Sequence, residues 1–86
     1  MADIPDKRPP RGMEDIRTLF ARNLRRLRHA AKLSQEELAD RADVNRGYVS
    51  DIENGRYNAT IEVLAKLAGA LDVEPADLLK RDLSPK

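Results

Sequence analysis

Cysteine is absent from this chain of 86 residues, which excludes disulfides, thiolate zinc sites and hence a zinc finger. Aromatic residues make up only 3% while charged residues reach 36%, a balance that on composition alone points toward disorder. No apolar run is long enough to cross a bilayer, and residues 1–12 alternate charges with Pro5, Pro9 and Pro10, so neither a signal peptide nor a membrane partner is expected. A large excess of one charge is lacking too. The net charge is +1, so total charge predicts no affinity for a polyanion and only its distribution can. At this length one small domain with a modest core is expected, without a separate ligand-binding domain.

One local absence is more telling. Residues 16–33 contain six Lys or Arg and no Asp or Glu, whereas residues 34–58 contain three basic and six acidic residues. Solvated helices usually mix signs to gain ion pairs, so the all-basic stretch reads either as an ordinary solvated face or as a flank turned to phosphate. Ile16, Phe20, Leu24, Leu27 and Ala31 recur at helical spacing and predict an amphipathic helix over 15–31. Arg17, Arg25 and Arg28 then gather along one flank of the stripe, with Arg22 and Arg26 further round. Leu38 and Ala42 give the inward face of a helix over 35–42, and Val49 and Ile52 that of a helix over 46–54. Thr60 caps a fourth helix over 61–71, built on Ile61, Leu64, Leu67, Ala68 and Leu71, and Pro75 opens a short fifth over 75–79. No strand pattern appears. The expected organisation is a loose arm at 1–13, a helical domain at 14–80 and a loose tail at 81–86.

Between the second and third helices only a tight turn fits. Ser34 and Glu37 have the spacing of a capping box, Asn45 suits the start of the next helix, and Gly55 stands where a helix stops in left-handed geometry. The stretch LSQEELADRADVNRGYVSDIENG at 33–55 resembles the helix-turn-helix of the phage repressor and Cro family, also called the xenobiotic-response-element type. The resemblance extends over residues 16–79. It implies an all-α, compact five-helix, lambda-repressor-like domain that lays its second motif helix in the DNA major groove. It also implies a transcription regulator of a prokaryote or phage, in the cytoplasm at the nucleoid. Phage switches, restriction-modification controller proteins and self-repressing antitoxins are all compatible with it.

Carried onto this sequence, the resemblance assigns base reading to Arg46, Gly47, Ser50 and Asp51. Arg46 is the principal candidate, because a guanidinium can bond guanine O6 and N7 together. Three positions depart from the family pattern. Gly47 replaces a polar side chain, so it either permits close approach or offers its amide to phosphate. Asp51 is acidic on a face that meets a polyanion, and either accepts from cytosine N4 or orients Arg46 or Tyr48. Asp43 fills a turn position that usually holds Gly, although Asp tolerates left-handed geometry better than most residues. Phosphate contacts implied by the resemblance are Gln35 at a helix N-terminus, Asn45, Arg28, and Asn54, Arg56, Tyr57 and Asn58 after the reading helix. Tyr57 either grips phosphate or packs beneath its loop. Arg28 with Glu53 is further implied as a partly buried structural ion pair.

No metal ligand set, cofactor or small-molecule ligand is expected. His29 and Ser50 exist, but no catalytic motif assembles them, so no enzyme is expected. Double-stranded DNA is the expected partner, with a second copy of the chain because one module touches few base pairs. Val73, Ala76, Leu78 and Leu79 are the candidate dimer contacts. A protein-interaction module, such as an antitoxin or partner-binding subunit, is the alternative.

Overall fold

The local start signals act as the sequence places them. Glu37 N donates to Ser34 Oγ at 3.0 Å and Ser34 N to Glu37 Oε1 at 2.8 Å, closing the capping box. Gly47 N donates to Asn45 Oδ1 and Val63 N to Thr60 Oγ1, capping the next two helices. The computed structural model describes residues 13–56 and 59–81. Its α-helices are α1 (Met13–Ala30), α2 (Gln35–Ala42), α3 (Arg46–Glu53) and α4 (Ile61–Leu71), followed by a 3-10 turn at Pro75–Leu78. No strand occurs among the described residues.

All four helices stop in one way. A residue with positive φ follows each, namely Lys32 (61°), Asp43 (58°), Gly55 (74°) and Asp72 (60°). The next amide then reaches back five residues: Leu33 to Arg28, Val44 to Ala39, Arg56 to Asp51 and Val73 to Ala68. This satisfies carbonyls that a helix end leaves orphaned. After α1, α2 and α4 that next residue is apolar, and Leu33, Val44 and Val73 join or pack on the core. After α3 it is Arg56, which is exposed.

Leu24, Leu38, Val49, Ile52, Leu67 and Leu78 form the fully buried centre, with α3 packed against both α1 and α2, and α4 against α2. Several expectations need correction. The fifth helix is a single 3-10 turn, with Pro75 at its start and Asp77 capping Glu74 N at 3.0 Å. It folds back on α1 and α4 and places Leu78 in the core at 0% exposure, so Leu78 is no dimer contact. Val73 is half-buried against the same core, and Ala76 and Leu79 are exposed. In α1, Leu19 and Asn23 are buried, while Ile16 is 49% exposed and Ala31 lies past the helix end. The helix also starts at Met13 rather than residue 15.

Candidate nucleic-acid interface

α3 is divided lengthwise by burial. Val49, Ile52 and Glu53 point inward, whereas Arg46, Gly47 and Tyr48 are exposed and Ser50 and Asp51 half-buried, with Asn54 exposed past the end. The expected base-reading residues therefore share the outer side of one short helix.

Glu53 fixes that helix against the rest of the domain. Its carboxylate accepts from Arg28 Nε at 2.7 Å and Nη2 at 2.9 Å, a two-pronged bond, and from Gln35 Nε2 at 3.0 Å. Arg25 Nη2 donates to the Glu53 carbonyl at 3.1 Å. Thus α1 and the start of α2 both bind the last residue of α3. Burial acts to raise the Glu53 pKa, but the bonds from Arg28 and Gln35 and the charges of Arg28 and Arg25 outweigh it, and the carboxyl is held below its ordinary value. Arg28 is correspondingly raised, chiefly by its bond to Glu53.

This network corrects the assignment of Arg28 to phosphate. The side chain is buried, and its Nη1 donates to the Leu33 carbonyl at 2.9 Å, so all three of its nitrogens are bonded within the protein. Gln35 is half-buried with one amide hydrogen on Glu53; its second remains chemically able to donate outward. Asn45 is exposed, and its Oδ1 is occupied by Gly47 N at 2.6 Å, so the Gly47 amide is committed to the cap rather than to phosphate. A Cβ at Gly47 would come within 2.9 Å of Asn45 Oδ1, so a larger residue there would have to shift the capping side chain. Asn54 and Arg56 are exposed, and Tyr57 and Asn58 lie outside the described residues.

Two features escaped the sequence reading. Glu36 Oε1 lies 3.8 Å from Arg46 Nη1, both side chains being mostly exposed, an ion pair worth less than about 1 kcal/mol in water. The basic flank also has different members from those expected. Arg22, Arg25, Arg26 and His29, at the spacing of one helix face, line an open groove of about 520 Å³ with Asn54 and Gly55 at the end of α3. Arg17 instead borders an apolar groove with Ile16, Ile61 and Leu79 on its walls. Among the described residues no group of His, Asp or Glu is arranged to hold a metal ion, and no helix is long and apolar enough to cross a membrane.

The family model for the helix-turn-helix matches residues 24–78. The chain belongs to the helix-turn-helix family. Control protein C.BamHI of Bacillus amyloliquefaciens is 42% identical over 66 residues, covering 76% of this chain and 82% of that one. The restriction-modification controller protein C.AhdI from Aeromonas hydrophila has a similar crystal structure, with a TM-score of 0.70 and 44% identity over 72% of this chain and 94% of that chain. A hypothetical transcription factor, NHTF from Neisseria, aligns with a TM-score of 0.74 and 35% identity over 91% of this chain and 87% of that chain. This helix-turn-helix protein is a DNA-binding transcription regulator, and α2 and α3 are its motif helices.

Proposed function

We propose that the protein binds a twofold-related operator as a homodimer, each copy placing α3 in the major groove. The observation that carries this reading is the split of α3: its inner side and Glu53 are locked into the core while Arg46, Gly47, Ser50 and Asp51 lie along its outer side. Arg46 contacts guanine, and Ser50 and Asp51 face the neighbouring bases. Gly47 supplies close approach rather than a side-chain contact. Asn45, the second amide hydrogen of Gln35, Asn54 and Arg56 take the flanking phosphates, joined by Tyr57 and Asn58 from the following loop. Arg56 is favoured because the end of α3 is the one of the four helix ends not followed by an apolar anchor.

The dimer face in this reading is apolar and distinct from the reading face. Ile61 is 84% exposed, Ile16 49% and Leu79 39%, and all three line one groove. Reading two half-sites requires the joined copies to present their α3 helices about 34 Å apart, the spacing of one DNA turn. By analogy with the controller proteins it resembles, the chain regulates genes through its own concentration, within a prokaryotic cytoplasm and without cofactor or enzymatic activity. A protein partner is the competing reading, favoured by Glu36, Glu37, Asp40 and Asp43, which are all exposed on and just after α2.

Selection of bound duplexes from a random pool, repeated with Arg46→Ala, tests the reading. Preference at one position in each half-site is expected to fall by about 1–3 kcal/mol. Identical enrichment by both proteins would remove Arg46 as a reader.

A further inference from the structure

Asn23 is a buried polar residue that neither the core pattern nor the DNA face explains. It is 1% exposed within α1, and an amide taken out of water is costly unless bonded. Its Nδ2 donates to the carbonyl of Leu78 at 3.0 Å and to that of Lys80 at 2.9 Å, while its Oδ1 accepts from Arg26 Nη2 at 3.2 Å. The two amide hydrogens therefore hold the carbonyls on either side of Leu79. Leu79 N donates to the Ala76 carbonyl at 3.0 Å, and Lys80 Nζ pairs with Asp77 at 3.0 Å, so the short segment is pinned from both ends. Between the buried Leu78 and the exposed Lys80, Leu79 is set into the groove that Ile16 and Ile61 also line.

We propose that Asn23 is a positioning residue for self-association, fixing Leu79 in register with Ile16 and Ile61 so that a second copy of this chain can dock there. This rests on the dimeric reading above. A second copy is the occupant because a twofold contact brings a patch onto itself, and charges of both signs beside an apolar centre can then pair across the axis. Arg17 lines this groove and Glu62, next to Ile61, is exposed. A buried amide that grips two carbonyls across 55 and 57 residues of sequence gives the directional control that apolar packing alone does not.

The test is dimer dissociation of the full-length chain by analytical ultracentrifugation, in a double-mutant cycle of Asn23→Ser with Leu79→Ala. Asn23→Asp, which keeps the size but replaces the donors, is the second probe, and the cycle is read in whichever variant unfolds cooperatively. Asn23→Ser is expected to weaken the dimer at least tenfold while leaving the binding of monomer to a single half-site unchanged within twofold. In the Leu79→Ala background the same change is expected to cost less than twofold more. Equal losses in both backgrounds, or a dimer insensitive to Asn23, overturns the proposal. Ile61→Asp separates the two levels: a dimer that survives it overturns the apolar face itself, whereas a dimer lost in Ile61→Asp but intact in the Asn23 variants overturns only the role of Asn23.

Discussion

Glu53 shows how one side chain decides the orientation of a helix, here α3. It is 5% exposed and takes bonds from Arg28 of α1 and Gln35 of α2. Removing one partner of a buried pair leaves the other charge uncompensated, so Glu53→Ala is expected to lower stability by about 3–5 kcal/mol in denaturant unfolding. An unchanged midpoint would show that the pair holds nothing together. The same residue sets part of the acid response. Its folded pKa lies below the unfolded value, so the unfolded chain binds the extra proton and stability rises with pH through this window. The contribution is complete above the unfolded value, near 4.5, and is lost as pH falls through the folded value. Glu37, held down by its bonds to Ser34, and Asp77, held down by Lys80 and Glu74, act in the same direction. Glu53→Gln is therefore expected to flatten the fall in melting temperature below about pH 4.5, and a fall as steep as that of the parent would contradict the assignment.

Helix ends separate what could be read in the sequence from what could not. The Ser34 box, the Asn45 and Thr60 caps, Asp43 in the turn and Gly55 were legible because each is chemistry within three or four residues. Lys32 and Asp72 were not, because packing of Leu33 and Val73 on the core forces the preceding residue into left-handed geometry whatever its own preference. The 3-10 turn at Pro75–Leu78, in place of a fifth helix, has a similar cause. Asn23 takes the Leu78 and Lys80 carbonyls from a distant part of the chain, which no local pattern announces. In the site itself, the inner side of α3 followed from periodicity and the Arg28–Glu53 pair from the resemblance, but the further bond from Arg28 to the Leu33 carbonyl, which turns the guanidinium away from phosphate, depended on where distant segments would converge. Unequal strain at the helix ends gives a measurable consequence. A left-handed residue costs about 1–2 kcal/mol for an ordinary side chain and less for Asp, so Lys32→Gly is expected to stabilise the protein by about 1 kcal/mol and Asp43→Gly by less. Equal or reversed shifts in thermal unfolding would show that the strain is relieved in some other way.

Across the whole molecule the nearly balanced charge conceals a functional asymmetry. The acidic residues of α2 are offset by arginines that the helical repeat of α1 collects beside the end of α3, so a chain of net charge +1 still carries a basic groove. This placement separates DNA binding from the competing protein-partner reading. Each phosphate neutralised releases counterions and adds about 0.9 to the slope of log affinity against log salt. Arg56→Ala and Arg22→Ala are each expected to weaken binding about equally for all duplex sequences and to reduce that slope by roughly one contact. Arg46→Ala is instead expected to change which sequence is preferred. Because Arg22 and Arg56 are exposed, their loss should leave thermal unfolding unchanged, so a weaker complex reports on the interface. A salt slope near zero for the parent, or one that neither variant alters, would assign these arginines to something other than phosphate and shift the case toward the acidic face of α2.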